Sequence, residues 1–343
     1  MDPKRLTNLA QAAARAVSGL EDKAQELIGG APGEDPKEPV GQKPAPVKRK
    51  VMVVIYSPPV PSEKGRKLSQ VMGWNDPDDL VPKHIADLRE VSSGYANYEV
   101  VERHESSRFP VKVDGFAYTA DQFVKAMRAG AGFHDPDAVD YYPIVNEFHI
   151  LDKVKQGTID EVWLFAFPYA GFYESIMGGP GAFWCNAPEL KKTEAAGRRF
   201  VIMGYNYQRG AGEMLENQGH RAESILTHVF RHKKGADNLW ERFGRYDKKS
   251  AGQAEVGVVH YAPNSQADYD WGNKSKVKSR SHLWKNFPNL DGEPKVMDTA
   301  DWGGGEIRAH HVWWFKLMPH ITGNAGGISY NWWKYIIDPQ TVR

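Results

Sequence analysis

The chain has 343 residues and an ordinary globular composition, with 41% hydrophobic residues, 25% charged residues and a formal net charge of +1. The small net charge argues against a dedicated nucleic-acid binder, and no apolar run approaches the roughly 20 residues that a membrane span needs. The single cysteine, Cys185, excludes an intramolecular disulfide framework and a multi-cysteine zinc site. Because the amino terminus also lacks the apolar segment of a secretory signal, the sequence predicts a cytoplasmic protein.

Residues 2–28 predict a helix that stands apart from the rest of the chain. Asp2 is suited to cap it, and Gly29 and Gly30 are suited to end it. Its apolar residues alternate spacings of four and three, as in a heptad seam: Leu6, Ala10, Ala13, Val17, Leu20, Ala24 and Leu27. The pattern suits a homo-oligomer or a docking partner held through this helix, and the alternative is a helix that lies on its own domain or is partly disordered. The five prolines of residues 29–50 predict a semi-extended linker.

Residues 51–343 predict a single α/β domain. Apolar runs predict four strands, the second of them the least buried, at residues 51–56, 98–100, 162–167 and 200–203. Apolar residues at helical spacing occupy the stretches between them, at 78–91, 118–130 and 142–156. Strands that alternate with helices need parallel crossovers. The expected core, residues 51–235, is therefore a three-layer, mostly parallel sheet with helices on both faces.

The last part of the chain, residues 236–343, has a different character. Residues 256–261 and 307–315 have the apolar pattern of strands, and residues 262–305 form a long polar connection between them. His310 and His311 are adjacent in the second predicted strand, so their side chains should point to opposite faces and should not line one site together. We interpret this part as an irregular, aromatic-rich extension that covers the end of the sheet.

Residues 198–231 form the most informative unit, because they predict a buried strand, a glycine-bearing loop and a long amphipathic helix. Open α/β sheets bind ligands at the carboxyl ends of their strands, which is where the loop 205–212 would lie. Gly210 and Gly212 surround the start of the helix, and free backbone N–H groups there, assisted by Arg209, are suited to hold a phosphate or carboxylate. The loop does not match the dinucleotide fingerprint or the phosphate-loop pattern.

The helix of this unit places four polar side chains on one face. Helical spacing brings together Glu213, Glu216, His220 and Glu223, opposite an apolar face. Histidine and glutamate at this spacing suit acid/base chemistry or a shared divalent metal, although a solvated helix face would show the same pattern. His220 lies about 12 Å beyond the start of the helix. It can therefore join a site only if the carboxyl-terminal part covers this face.

The end of the third predicted strand supplies a further candidate. Glu174 follows this strand, and if the third and fourth strands are neighbours it should border the same crevice as the loop 205–212. We expect Glu174 to act as a general acid or base, with a solvated loop carboxylate as the alternative. Cys185 is expected to be a buried, inert thiol because no partner histidine is fixed by local spacing.

One local excess of positive charge occurs in the carboxyl-terminal part. Lys274, Lys276, Lys278 and Arg280 recur at every second residue, so an extended chain would present them on one face, with Trp284 nearby. Such a row suits the phosphates or sulfates of a polyanion, with stacking on the aromatic side chain. The alternative is a lysine-guarded edge strand.

Together these features favour a hydrolase acting on a hydroxyl-rich or anionic substrate, either a glycan or a phosphorylated compound. The hypothesis assigns acid/base or metal-binding roles to Glu174, Glu213, His220 and Glu223, with a divalent metal as the candidate cofactor. It assigns substrate contacts to Tyr169, Tyr205, Asn206, Arg209 and Trp284. No stretch matches a specific catalytic signature, so two alternatives stay open: a noncatalytic glycan- or polyanion-binding protein, and an oligomeric scaffold component built on the amino-terminal helix.

Overall fold

A five-stranded sheet lies at the centre of the computed structural model, which describes residues 40–343. The strands of this part are β1 (Val47–Tyr56), β2 (Pro59–Val60), β3 (Arg66–Lys67), β4 (Ala96–Ser106), β5 (Glu161–Ala166), β6 (Ser175–Gly178), β7 (Phe200–Asn206), β8 (Val277–Ser279), β9 (Lys295–Met297), β10 (His320–Ala325) and β11 (Ile328–Asn331). The central sheet has the order β4-β1-β5-β7-β6, with β6 antiparallel at one edge and the other four strands parallel. The predicted mostly parallel α/β sheet is confirmed.

Helices surround the sheet. They are α1 (Leu68–Met72), α2 (Pro77–Val91), α3 (Ala120–Ala129), α4 (Tyr141–Glu147), α5 (Ile150–Gln156), α6 (Ala211–Val229), α7 (Leu239–Phe243), α8 (Ile307–Lys316) and α9 (Trp333–Ile337). His84 of α2 packs against Trp163 of β5, with ring centroids 5.2 Å apart. The opposite face of the sheet carries Tyr56. Its ring contacts Phe172, which in turn contacts Tyr141 of α4. Both faces are therefore covered, as the apolar runs of the central strands require.

The four strands expected from the sequence all form. Residues 51–56 of β1 and all of β5 are buried, whereas β4, at the edge of the sheet away from β6, has only Ala96, Tyr98 and Ser106 buried. β5 and β7 are neighbours, with Val162 opposite Ile202. The carboxyl ends of these two parallel strands therefore lie side by side at the same end of the sheet.

The expected helices also form, with one interruption. Asp76 caps α2 through a bond from the backbone N–H of Asp78, and Thr119 and Gln122 form a capping box on α3. The single helix expected over residues 142–156 is instead two helices, α4 and α5. His149 between them has a left-handed backbone with φ of 52°, which a continuous helix does not allow.

Two predicted strands in the carboxyl-terminal part are wrong. Residues 307–315 belong to helix α8, which Glu306 caps by accepting bonds from the N–H groups of Arg308 and Ala309. Burial in α8 recurs at His310, His311, Trp314 and Phe315, which is a helical period. Residues 256–261 form a tight turn in which the N–H of Val258 and the C=O of Tyr261 bond at 3.0 Å. Gly257 permits it, with φ of 95° and no room for a side chain.

The linker predicted over residues 29–50 ends earlier than expected. Residues 47–50 already belong to β1 and pair with β4, and the N–H of Gly41 donates to the C=O of Thr322. The described part of the chain, from Val40 onward, forms one compact unit. The predicted helix at residues 2–28 lies outside the described residues.

Tryptophan and phenylalanine rings of the carboxyl-terminal part pack into the core. Phe243 contacts Trp284, Trp314 and Trp332 at centroid distances of 4.9 to 5.8 Å. Between α7 and α8 the chain is largely irregular, apart from short segments such as the β8-β9 hairpin. The predicted irregular, aromatic-rich extension is therefore present. Within residues 40–343, no helix has the length and apolar character needed to span a lipid bilayer.

Candidate metal centre

Helix α6 provides the backbone of the site. It begins after Gly210, whose N–H is bound by the Glu213 carboxylate at 3.0 Å, and its apolar residues, Leu215, Ala222 and Leu226 among them, are buried in the core. The opposite, polar face carries Glu216, His220 and Glu223. This face is covered by protein, since Glu216 is fully buried and His220 is mostly buried.

Two glycines explain how the cover comes so close. A Cβ atom on Gly212 would lie 2.6 Å from Cγ2 of Ile307 in α8, and one on Gly219 would lie 2.5 Å from Cγ2 of Val259. Glu216 lies between these glycines on the same side of the helix, at spacings of four and three residues. Helix α8 and the turn at residues 256–261 therefore cover the polar face, which is the condition that the sequence set for His220 to join a site.

Three side chains converge beneath this cover. His220 Nε2 and His260 Nε2 are 3.0 Å apart, and His260 Nε2 is 2.9 Å from Oε1 of Glu216. The same Glu216 oxygen is 3.9 Å from His220 Nε2. One donor atom from each of the three residues thus lies within 4.8 Å of the other two, an arrangement that could hold a metal ion. A fourth oxygen, Oε2 of Glu174, is 3.7 Å from His220 Nε2.

Each imidazole also has a carboxylate on its outer nitrogen. His220 Nδ1 is 3.2 Å from Oε2 of Glu223, and His260 Nδ1 is 2.9 Å from Oδ1 of Asp268. Glu223 is itself held by the N–H of Val259 at 2.9 Å. Carboxylates in this position fix the ring orientation and make the inner nitrogen a better ligand, and they are typical of metal-binding histidines.

The carboxylates of the site favour a positive charge among them. Burial lowers the pKa of His220, but Glu174, Glu216 and Glu223 raise it and together hold it well above its usual value. Burial raises the pKa of Glu216, and the bonds from His220 and His260 outweigh it, so this pKa is well below its usual value. Oε2 of Glu216 is buried with no hydrogen-bond partner among the described residues. The carboxylates around His220 therefore favour a positive charge at this position, which either a protonated imidazole or a divalent ion would supply.

Aromatic side chains and further histidines line the same region. The hydroxyl of Tyr269 donates to Oε1 of Glu216 at 2.9 Å, and its ring lies 4.2 Å from that of His260. Trp271 contacts both His310 and His311 at 5.1 and 5.2 Å. The prediction that these two histidines face opposite ways is thus wrong, because they lie on a helix. Burial lowers the pKa of His311 to about 4, so its ring is neutral.

Glu174 is positioned from two sides. Its C=O accepts the N–H of Gly204 in β7 at 3.1 Å, and its Oε2 accepts Nδ2 of Asn186 at 2.6 Å. The N–H of Asn186 donates to Ser224 of α6 at 2.9 Å. The carboxylate is therefore held beside His220, with its side chain 35% exposed. Cys185, next in sequence to Asn186, is fully buried, and burial raises the pKa of its thiol.

The structure brings together only part of the predicted site. Glu174, His220 and Glu223 meet, whereas Glu213 is occupied in capping α6. The five predicted substrate contacts have other partners. Tyr205 is buried and bonds to His84, and Trp284 packs in the core with its Nε1 on Glu255. Asn206 and Arg209 belong to a turn fastened by Asn75, and Tyr169 stacks on Phe133.

Sequence reasoning missed His260, Asp268 and Tyr269. They lie 40 or more residues beyond His220, in a segment expected to be a strand followed by a long polar connection. No local spacing links them to α6, so no pattern in the sequence could have placed them there.

Comparison of the chain with protein-family models, with curated proteins and with solved structures gave no match.

Proposed function

We propose that the protein is a divalent-metal-dependent hydrolase with Glu216, His220 and His260 as its metal ligands. One observation carries the proposal. The inner nitrogens of two imidazoles converge with a carboxylate oxygen, while each outer nitrogen rests on a carboxylate of its own. Two histidines with one glutamate are a ligand set of catalytic zinc sites, which leave a coordination position open for substrate or water.

The separations suit a common ion. Two ligand atoms, each bonded to zinc at about 2.0 to 2.2 Å, lie about 3.3 to 3.6 Å apart in tetrahedral geometry. The three observed separations of 3.0, 2.9 and 3.9 Å are close to this range. The site therefore needs little rearrangement to close around an ion.

Glu174 is the residue that we assign to proton transfer. A divalent ion in the site would polarise the substrate and activate water. Glu174 would accept a proton from the attacking water while the water oxygen bonds to the electrophilic carbon or phosphorus of the substrate. It would then pass that proton to the leaving oxygen as the bond between this oxygen and the carbon or phosphorus breaks. Asn186 keeps the carboxylate in place through its bond to Oε2.

One exposed aromatic ring favours a hydroxyl-rich substrate such as a glycan. Tyr269 is 48% exposed, and its ring lies 4.2 Å from that of His260. A large aromatic side chain left open beside a polar centre offers a flat surface on which a sugar ring can pack. This support replaces that of the five contacts predicted from the sequence.

The hydrolase proposal predicts metal-dependent turnover that Glu174 controls. The wild type should hydrolyse at least one class in a panel of glycosides, esters and phosphate esters, lose this activity to a chelator and regain it with zinc or manganese. Glu174→Gln should lower kcat by about 10²- to 10⁴-fold with its metal content unchanged. Glu213→Gln is the matched control and should keep wild-type activity, because that carboxylate only caps α6.

Metal analysis of the same preparations separates the alternatives. Two histidines and one carboxylate also hold iron in non-haem oxygenases, so bound iron with no hydrolysis would replace hydrolysis by redox chemistry. A stoichiometric metal with no turnover on any substrate class would favour the noncatalytic binding protein. A protein that binds no divalent metal would contradict the proposed centre itself.

Metal binding should release protons near neutral pH. The pKa of His220 in the metal-free protein is raised, so below that raised pKa the ring must lose a proton to bind an ion, and metal affinity should rise up to about tenfold per pH unit. Calorimetric titration in buffers of different ionisation enthalpy measures the released protons. Glu223→Gln should release fewer, because Glu223 is one of the carboxylates that raise this pKa. Equal affinity at pH 6 and pH 8 would contradict the assignment of His220 as a ligand.

A further inference from the structure

A second polar site lies on the carboxyl-terminal part of the molecule, apart from the metal ligands. It is a surface pocket of about 400 Å³ lined by Gly235, Ala236, Arg242, Arg245, Glu255 and Arg280. We propose that this arginine pocket binds a phosphate or sulfate group of an anionic ligand. The proposal does not depend on the proposed hydrolase activity.

The charge balance of the arginine pocket is positive. Three guanidinium groups face one carboxylate, which leaves an excess of two positive charges. The carboxylate of Glu255 is only 3% exposed and both its oxygens are engaged, Oε1 by Nε of Arg242 at 2.9 Å and Oε2 by Nε1 of Trp284 at 2.9 Å. Glu255 therefore orients Arg242 and is not free to pair with the other two arginines.

Two of the three arginines have a side-chain partner before any ligand arrives. Nη2 of Arg242 donates to the C=O of Leu290 at 3.1 Å, and Nη1 of Arg245 donates to Oε1 of Gln253 at 3.4 Å. A guanidinium that is already positioned loses less conformational freedom on binding, which favours affinity.

Arg280 is the cation with the most to gain from a ligand. Its side chain is partly buried, and within residues 40–343 its guanidinium makes no hydrogen bond or ion pair. A guanidinium presents a planar fork of N–H donors whose geometry matches the oxygens of phosphate and sulfate. A tetrahedral oxyanion in the arginine pocket would satisfy donors that the protein leaves unpaired.

The lysine row precedes this pocket in the chain. Lys278 is exposed between the buried Val277 and Ser279 of β8, so the alternation places Arg280 on the same side as Lys278, and Lys274 and Lys276 before it are exposed as well. The row is not the guard of an open sheet edge, because β8 pairs with β9 on one side and Ser279 bridges to Ala254. An anionic ligand longer than one phosphate could therefore extend from the pocket along the lysines.

Titration calorimetry of the full-length protein with inorganic phosphate, sulfate and tripolyphosphate tests the proposal. We expect phosphate and sulfate to bind in the millimolar range or tighter, more weakly as salt is added. Arg280→Gln should weaken binding by about tenfold or more, as expected for the loss of a charge-assisted hydrogen bond. It should fold normally, because the lost guanidinium has no partner, and its metal content should be unchanged. Lys285→Gln, which removes an exposed lysine that does not line the pocket, is the control and should bind as the wild type does.

The titrations can overturn the proposed anion binding at the arginine pocket. No binding of phosphate or sulfate at millimolar concentration, or equal binding by Arg280→Gln and the wild type, would overturn the proposal. Tripolyphosphate should bind more tightly than phosphate, and Lys276→Gln with Lys278→Gln should remove only this extra affinity. If tripolyphosphate gains nothing, the lysine row has no part in the site. Loss of anion binding with an intact metal centre also separates this site from the proposed hydrolase function.

Discussion

Replacing His260 by glutamine should lower the affinity for the divalent ion by at least about a hundredfold. His260 contributes one of three ligand atoms, and its Nε2 is also the contact that joins His220 to Glu216. Loss of an outer carboxylate alone commonly costs metal sites about 10- to 100-fold, so loss of a ligand should cost more. Competition against a chromophoric chelator, together with metal analysis after dialysis, measures the change.

Two companion variants make this result specific. Asp268→Asn keeps the ligand and alters only the carboxylate on its outer nitrogen, so it should cost about tenfold. His104→Gln changes another histidine that rests on a carboxylate, Glu102 at 3.1 Å, but on the outer strand β4, and it should leave metal affinity unchanged. Wild-type affinity in His260→Gln would refute the proposed ligand set, whatever the activity of the protein.

Replacing Arg221 by methionine should destabilise the fold by about 3 to 5 kcal/mol. Nη1 and Nη2 of Arg221 bond to the two carboxylate oxygens of Glu161 at 3.1 and 2.9 Å, with the side chains 0% and 1% exposed. Glu161 also accepts Nε1 of Trp163 at 2.7 Å. Without Arg221, a charged carboxylate would remain buried between α6 and the sheet. Urea unfolding followed by tryptophan fluorescence measures the free energy of unfolding.

An exposed ion pair provides the control for this experiment. Arg66 bonds to Glu63 at 2.9 Å, but its side chain is 53% exposed, so Arg66→Met should cost less than about 1 kcal/mol. The double variant Arg221→Met with Glu161→Gln should recover part of the lost stability, because no buried charge is left. A loss in Arg221→Met no larger than in Arg66→Met would show that the buried pair does not hold α6 against the sheet.

The sequence predicts the sheet well because its strands carry a simple signal. Residues 51–56, 162–167 and 200–203 are apolar without interruption, and such runs form the covered strands β1, β5 and β7. The same reasoning fails at residues 307–315. There the aromatic and β-branched residues suggest a strand, but the segment is a helix whose buried side faces α6 and the tryptophan cluster, and tertiary packing overrides local preference.

Only the part of the candidate site that lies on one helix could be predicted from the sequence. His220 and Glu223 lie one turn apart on a helix, so spacing alone brings them together. His260 and Asp268 reach them only through the irregular turn at residues 256–261, which no periodicity describes. The loop 205–212, predicted to hold a ligand, is fastened by Asn75, and its first residue, Tyr205, is buried. The polar centre forms further along α6, where Gly212 and Gly219 admit the covering segments.

This cover has a consequence for the way the chain is held together. His220 and His260 are 40 residues apart in sequence and come from two segments that meet side by side at the glycines of α6. An ion bound between them would close a loop of that length, much as a disulfide does, in a chain whose single cysteine rules out any intramolecular disulfide. The metal would then act as a reversible cross-link, so that its supply sets both the chemistry of the centre and how firmly the carboxyl-terminal part stays on the sheet domain.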